Sequence, residues 1–147
     1  MLAEYNGQIF NAEINEQKVS LWKYVPVKGF QKVTTERGIT YYEKTIAIEE
    51  INNFFSISFL ACLKDRKFVI TSFDGNNLNV LCDDREYAET HGFSEVEHGV
   101  WVSRQSIEKF DRFQLIKSVN SNDKTVLSIS KEQITDLWQK YVKEVNP

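Results

Sequence analysis

The sequence predicts a mainly β, α+β fold. It reads as two tandem five-stranded repeats of about 59 residues, each with a short helical turn before its last strand, followed by a C-terminal amphipathic helix. Three observations lead there. The decamer IEEINNFFSI (residues 48–57) has a counterpart, IEKFDRFQLI (residues 107–116), 59 positions later. At the same offset IFNAEINEQKVSLW (residues 9–22) lies over FVITSFDGNNLNVL (residues 68–81), apolar over apolar and the turn NEQK over DGNN. Between the turns, apolar and polar residues alternate with the period of two that half-buried strands require. Two blocks agreeing at one offset, turns included, point to an internal duplication.

The elements follow in chain order. QIFNAEI and VSLWKYV alternate and are joined by residues 15–18, a hairpin. FQKVTT and ITYYEKTI form a second hairpin across Glu36-Arg37-Gly38, where glycine supplies a positive φ. Ile48, Ile51 and Phe54 are spaced by three and share one face of a helical turn; FFSISFLACL then resumes as a strand. The second copy reads KFVITSF, LNVLC, a strand near FSEVE, VWVSR, the turn IEKFDRF and FQLIKSV. TVLSIS (residues 125–130) is a final strand. In SKEQITDLWQKYVKEV the residues Ile134, Leu137, Trp138, Tyr141, Val142 and Val145 form one apolar stripe at helical spacing. Ser130 and Gln133 start it as a capping box.

The expected organisation is a first β repeat at 1–60, a second at 61–119, and a final strand and helix at 120–147 packed on them as one compact unit. Four strands in meander order, a helical turn and a fifth strand resemble the layout of small SH3-like barrels, in strand count and order only. Fold alone names no activity.

Composition narrows the function. With 41 % apolar residues, ten Phe, six Tyr and three Trp, the 147-residue chain can bury a sizeable core. A formal net charge of −3 argues against a general nucleic-acid binder, which needs a basic face for phosphates. The longest apolar run, SISFLACL, is too short to span a bilayer, and MLAEYNGQIF lacks the basic start and apolar stretch of a signal peptide. Cys62 and Cys82 do not make a disulfide framework; Cys62, among Phe59, Leu60, Ala61 and Leu63, reads as a buried thiol. A reducing cytoplasm fits these features.

No catalytic or cofactor signature is legible. His91, Glu95 and His98, or His91, His98 and Cys82, match no zinc spacing and read as solvated loop residues. Gly-x-Ser-x-Gly is absent from the sequence. Cys82 lies among acids that oppose thiolate formation. DGNN is too short for a phosphate loop and lacks the later ligands of an EF-hand, and Glu49 and Glu50 read as a solvated face. The expectation is therefore no metal, no cofactor and no enzyme, with a small enzyme as the least favoured alternative.

Charge is the asymmetric feature. Residues 83–98 carry six acids (Asp83, Asp84, Glu86, Glu89, Glu95, Glu97) against Arg85 alone. The matching part of the first copy carries Lys28, Lys32 and Arg37 against Glu36. An acidic loop interleaved with Tyr87 and Phe93 suits docking of a basic protein: carboxylates steer encounter and rings supply anchor area. DDREYAE, the length and the cytoplasmic character are similar to bacterial immunity proteins that neutralise secreted toxins, including those of Gram-positive LXG systems. That resemblance implies steric inhibition of a basic, nuclease-type toxin domain. It assigns partner contacts to Asp83, Asp84, Glu86, Tyr87, Glu89, Glu95 and Glu97, with Phe93 beside them. The alternative is an adaptor or assembly module using a β-surface or the C-terminal helix.

Overall fold

A computed structural model describes residues 1–120 and 122–147. The chain is mainly β, and its strand pairings are antiparallel. It divides into two compact units. The first is Met1–Ile57 with Lys117–Lys124 and Asp136–Pro147; the second is Ser58–Ile116 with Thr125–Thr135. Residues 125–147 are thus divided between the two units.

The first unit contains β1 (Leu2–Tyr5), β2 (Gln8–Asn15), β3 (Lys18–Lys23), β4 (Gln31–Thr34), β5 (Thr40–Ala47) and the start of β6 (Phe54–Leu63), hydrogen-bonded in the order β4-β5-β3-β2-β1-β6. β1 is an addition to the expected strands. It is turned back on β2 by Asn6 and Gly7, whose φ values of 49° and 74° are the two positive angles a tight hairpin of this kind demands.

The meander order does not hold. β3 pairs with β5 along six positions, from Lys18↔Ala47 to Lys23↔Tyr42, and β4 lies outside β5. Burial accounts for the choice. The β3·β5 ladder buries Val19, Leu21 and Ile46, whereas β4 is short and exposed at three of its four residues. The connection from β3 to β4 runs through residues 24–30, long enough to pass β5 by.

Residues of one parity on β2 and β3 fill the core: Phe10, Ala12, Val19 and Leu21 pack with Ala3, Ile46 and Ile51. Phe30 stacks on Phe10 at 4.8 Å. A second cluster joins Ile9, Phe55 and Val145, with Leu2, Ile57 and Tyr141 against it. At an offset of 59, the decamers form matching 3₁₀ turns, Ile48–Glu50 and Ile107–Lys109.

The second unit contains the rest of β6, then β7 (Arg66–Phe73), β8 (Asn77–Cys82), α1 (Arg85–Thr90), β9 (Ser94–Glu97) and β10 (Val100–Ser106). Their order is β6-β7-β8-β10-β9. β11 (Arg112–Asn120) pairs with β6 and with β12 (Asp123–Ile129).

The ladder of β3 with β5 reappears here position for position. Lys18↔Ala47 becomes Asn77↔Ser106, and Lys23↔Tyr42 becomes Cys82↔Trp101, each 59 further on. The β7·β8 pairing agrees with β2·β3 at Ser72↔Asn79 and Phe73↔Leu78, then slips by one at a bulge between Ile70 and Ser72. Even the entry to the 3₁₀ turn recurs: Ile48 N–H donates to the Gln17 carbonyl at 3.0 Å, and Ile107 N–H to the Asn76 carbonyl at 2.9 Å.

The C-terminal helix begins where the capping box places it. Gln133 N–H donates to Ser130 Oγ at 3.2 Å, and Gln133 Oε1 accepts from Ser130 N–H at 2.9 Å. α2 (Lys131–Trp138) passes into a π-helical turn, Gln139–Lys143. Its stripe is spent internally: Ile134 is fully buried, Trp138 and Val145 nearly so, and Leu137, Tyr141 and Val142 are half-buried.

Candidate partner-binding surface

The acidic stretch of the second unit is a built corner rather than a loop. Asp84 sits in extended backbone and caps α1, its Oδ1 accepting from Tyr87 N–H at 3.1 Å. Arg66, at the start of β7, donates to Asp84 Oδ2 at 3.1 Å and lays its guanidinium 4.0 Å from the Tyr87 ring centre. Asp84 therefore ionises below the usual carboxylate range, first through the Tyr87 amide and then through Arg66. Gly92, with φ of 78°, ends the helical segment and lets the chain enter β9.

The two rings expected as anchors are turned inward. Tyr87 lies 5.6 Å and Phe93 5.8 Å from Phe68 between ring centres, and Phe68 meets Phe110 at 6.4 Å. The space bounded by these rings with Leu63 and Val80 is only about 10 Å³, the lower limit for one water. Both rings are half-buried and close the core of this unit. Phe68, Val80 and Phe110 present an apolar face there, and Tyr87 and Phe93 pack over it.

The carboxylates sort into two groups. Asp84 is paired with Arg66, and Glu89 with Arg85 at 2.8 Å, which raises the Arg85 pKa. Glu95 accepts from Gly99 N–H at 3.2 Å and steadies the β9–β10 turn. Asp83, Glu86 and Glu97 are exposed and form no ion pair among the described residues. Val96, between two glutamates on the edge strand β9, is 60 % exposed. The structure thus keeps Asp83, Glu86, Glu95, Val96 and Glu97 at the surface and withdraws Asp84, Tyr87 and Phe93 into structural roles.

The histidines and cysteines considered as ligands go separate ways. His91 stacks on Tyr87 at 3.8 Å and donates from Nδ1 to the Tyr87 carbonyl at 2.8 Å. Cys82 is buried with its thiol 3.4 Å from the Asp84 carbonyl, and His98 is exposed. Among the described residues no group of three or more His, Cys, Asp or Glu is gathered to hold a metal. Both cysteines are buried free thiols.

One feature and the placement of another escaped the sequence. Arg66 carries no local mark of its role. The charge difference between the copies is legible in the sequence, but its placement needs the register: Lys32 faces Tyr42 on β5 in the slot where Glu95 faces Trp101 on β10. Among the described residues no helix is long and apolar enough to cross a membrane. Comparison with protein-family models, with curated proteins and with solved structures finds no match to this chain.

Proposed function

We propose that this protein is a non-catalytic, cytoplasmic binding protein that inhibits a basic protein domain, a nuclease-type toxin in the manner of an immunity protein. The observation that carries the reading is the sorting of the carboxylates. The chain supplies its own cations to Asp84 and Glu89, leaves Asp83 and Glu86 exposed at α1, and leaves Glu97 exposed beside Val96 on the edge strand β9. An edge strand flanked by free acids accepts an added basic segment through backbone hydrogen bonds while charge sets the encounter rate. The resemblance of DDREYAE and of chain size to immunity proteins supports the same reading.

The first check is the neighbouring gene: a toxin-like reading frame there supports the reading and supplies its basic domain as the probe, and a neighbourhood without one counts against it. The unaltered protein binds that domain and protects cells that co-express it. The triple variant Asp83→Asn, Glu86→Gln, Glu97→Gln keeps its fold, since exposed charges contribute about 0.5 kcal/mol or less each. It loses at least about tenfold in affinity at low salt, mostly in association rate. Undiminished binding by the triple variant removes this surface from the interface.

One observation favours an assembly module as the second reading. β12 is exposed at six of its seven residues, with Val126 and Leu127 at 55 % and 52 %. The C-terminal helix is less suited to that role, because its stripe is already buried.

A further inference from the structure

A recess on the first unit, apart from the acidic corner and independent of the function proposed for it, carries its own chemistry. It is lined by Glu13, Ser20, Trp22, Tyr24, Tyr41 and Glu43 and has a volume of about 270 Å³. The pleat explains its composition. On β3, Val19, Leu21 and Lys23 point into the protein, so Ser20 and Trp22 point to the opposite face. Glu13 lies beside Ser20 on β2, and Glu43 lies directly opposite Trp22 on β5. Tyr24 continues the parity of Trp22, its backbone N–H held by the Glu144 carbonyl at 2.8 Å. Tyr24 and Tyr41 meet edge to face at 6.4 Å and 61°.

Three half-buried rings and two carboxylates therefore face one small space. No Lys or Arg lines it, and neither Glu13 nor Glu43 forms an ion pair among the described residues. The sheet architecture does not require this set. In the second unit the pair Leu81↔Val102 occupies the slot that Trp22↔Glu43 occupies here, and Val100 stands in the place of Tyr41.

We propose that this recess binds a guanidinium group, the side chain of an arginine. A planar cation stacks on Trp22, and an opposed strand pair places Glu43 about 5 Å away, within reach of its N–H fork. Glu13 closes the far side, and the edges of Tyr24 and Tyr41 define the width. Ring faces and carboxylates both favour positive charge, so a neutral group of the same shape leaves the two acids unpaired.

The experiment titrates the full ¹⁵N-labelled chain with N-acetyl-L-arginine amide and, separately, with its neutral analogue N-acetyl-L-citrulline amide. The Trp22 indole reports on the recess, because Trp101 and Trp138 are each only 6 % exposed. The expected result is a saturable Trp22 shift with Kd on the order of millimolar, and at least about tenfold weaker binding of citrulline. Glu43→Gln weakens arginine binding about fivefold or more. The triple variant of the acidic corner binds it unchanged, which separates this site from that one. A parallel titration with free L-arginine distinguishes a small metabolite from an arginine within a polypeptide: the tighter of the two forms names the source. Equal response to arginine and citrulline on the unaltered protein, or shifts centred away from Trp22, Tyr24 and Tyr41, overturns the proposal.

Discussion

Lys23 is 3 % exposed, at a position whose parity on β3 is shared with Val19 and Leu21. Its ammonium donates to Gln8 Oε1 at 2.8 Å, stands 3.5 Å from Glu144 Oε2 and lies 4.9 Å from the Phe10 ring centre. A buried ion pair is a weak source of net stability, but breaking one side leaves a charge without its partner. Lys23→Met, which keeps the packed stem, is expected to change stability by under about 1.5 kcal/mol. Glu144→Ala is expected to cost about 2 kcal/mol, reduced from the full penalty because Gln8 and Phe10 remain and Glu144 is partly exposed. Urea midpoints of both variants check the order. The alternation in VSLWK marks Lys23 as inward-facing, yet its partners lie on β2 and at the far end of the chain, beyond any local reading.

The turn between β7 and β8 is an element whose chemistry was legible: DGNN reads as a hairpin, and Gly75 takes φ of 99° there. Asp74 holds it, its Oδ1 accepting from Asn77 N–H at 2.7 Å and Asn76 N–H at 2.9 Å. These bonds, and then Arg104, lower its pKa from 3.8 to about 2. A carboxylate depressed on folding contributes stability that is complete above its unfolded value and is lost as pH falls through its folded value. The window is thus about pH 4 down to about pH 2. Asp74→Asn keeps an acceptor oxygen but has no charge to titrate, so its stability is expected to fall less steeply across that window. Urea midpoints at several pH values measure the slope.

Other elements were legible in part. Asp84, Tyr87 and Gly92 spell a cap, a first turn and an exit, but the density of charge in DDREYAETHG disguised a helix of only six residues. β1 was missed although Asn6-Gly7 is a strong hairpin signal, because a four-residue strand shows too little alternation. The order of β3, β4 and β5 depends on which ladder buries more, which spacing alone does not encode.

At the scale of the whole molecule, the last seventeen residues serve both units. Ile134 is fully buried in the second, while Tyr141 and Val145 pack on Ile9 and Phe55 in the first. Asn11 Nδ2 also donates to the Val145 carbonyl. Ending the chain after Ser130 is therefore expected to cost about 2–5 kcal/mol in each unit. Hydrogen exchange reads this as lost amide protection in β2 and β3 as well as in the second unit; protection unchanged in β2 and β3 would show that the tail is dispensable there. The amphipathic stripe announced that this segment is buried. The first-unit partners of Tyr141 and Val145 were silent, because they lie more than eighty residues away in sequence.

The recurring ladder also creates a hazard while the chain is still assembling. The two ladders share one six-step register, so β10 offers β3 the same alignment as its own partner β5. The inward positions differ: opposite Trp101 the second unit places the small neutral Cys82, where β3 would bring the ammonium of Lys23, so the mistaken pairing would set a charge in an apolar slot.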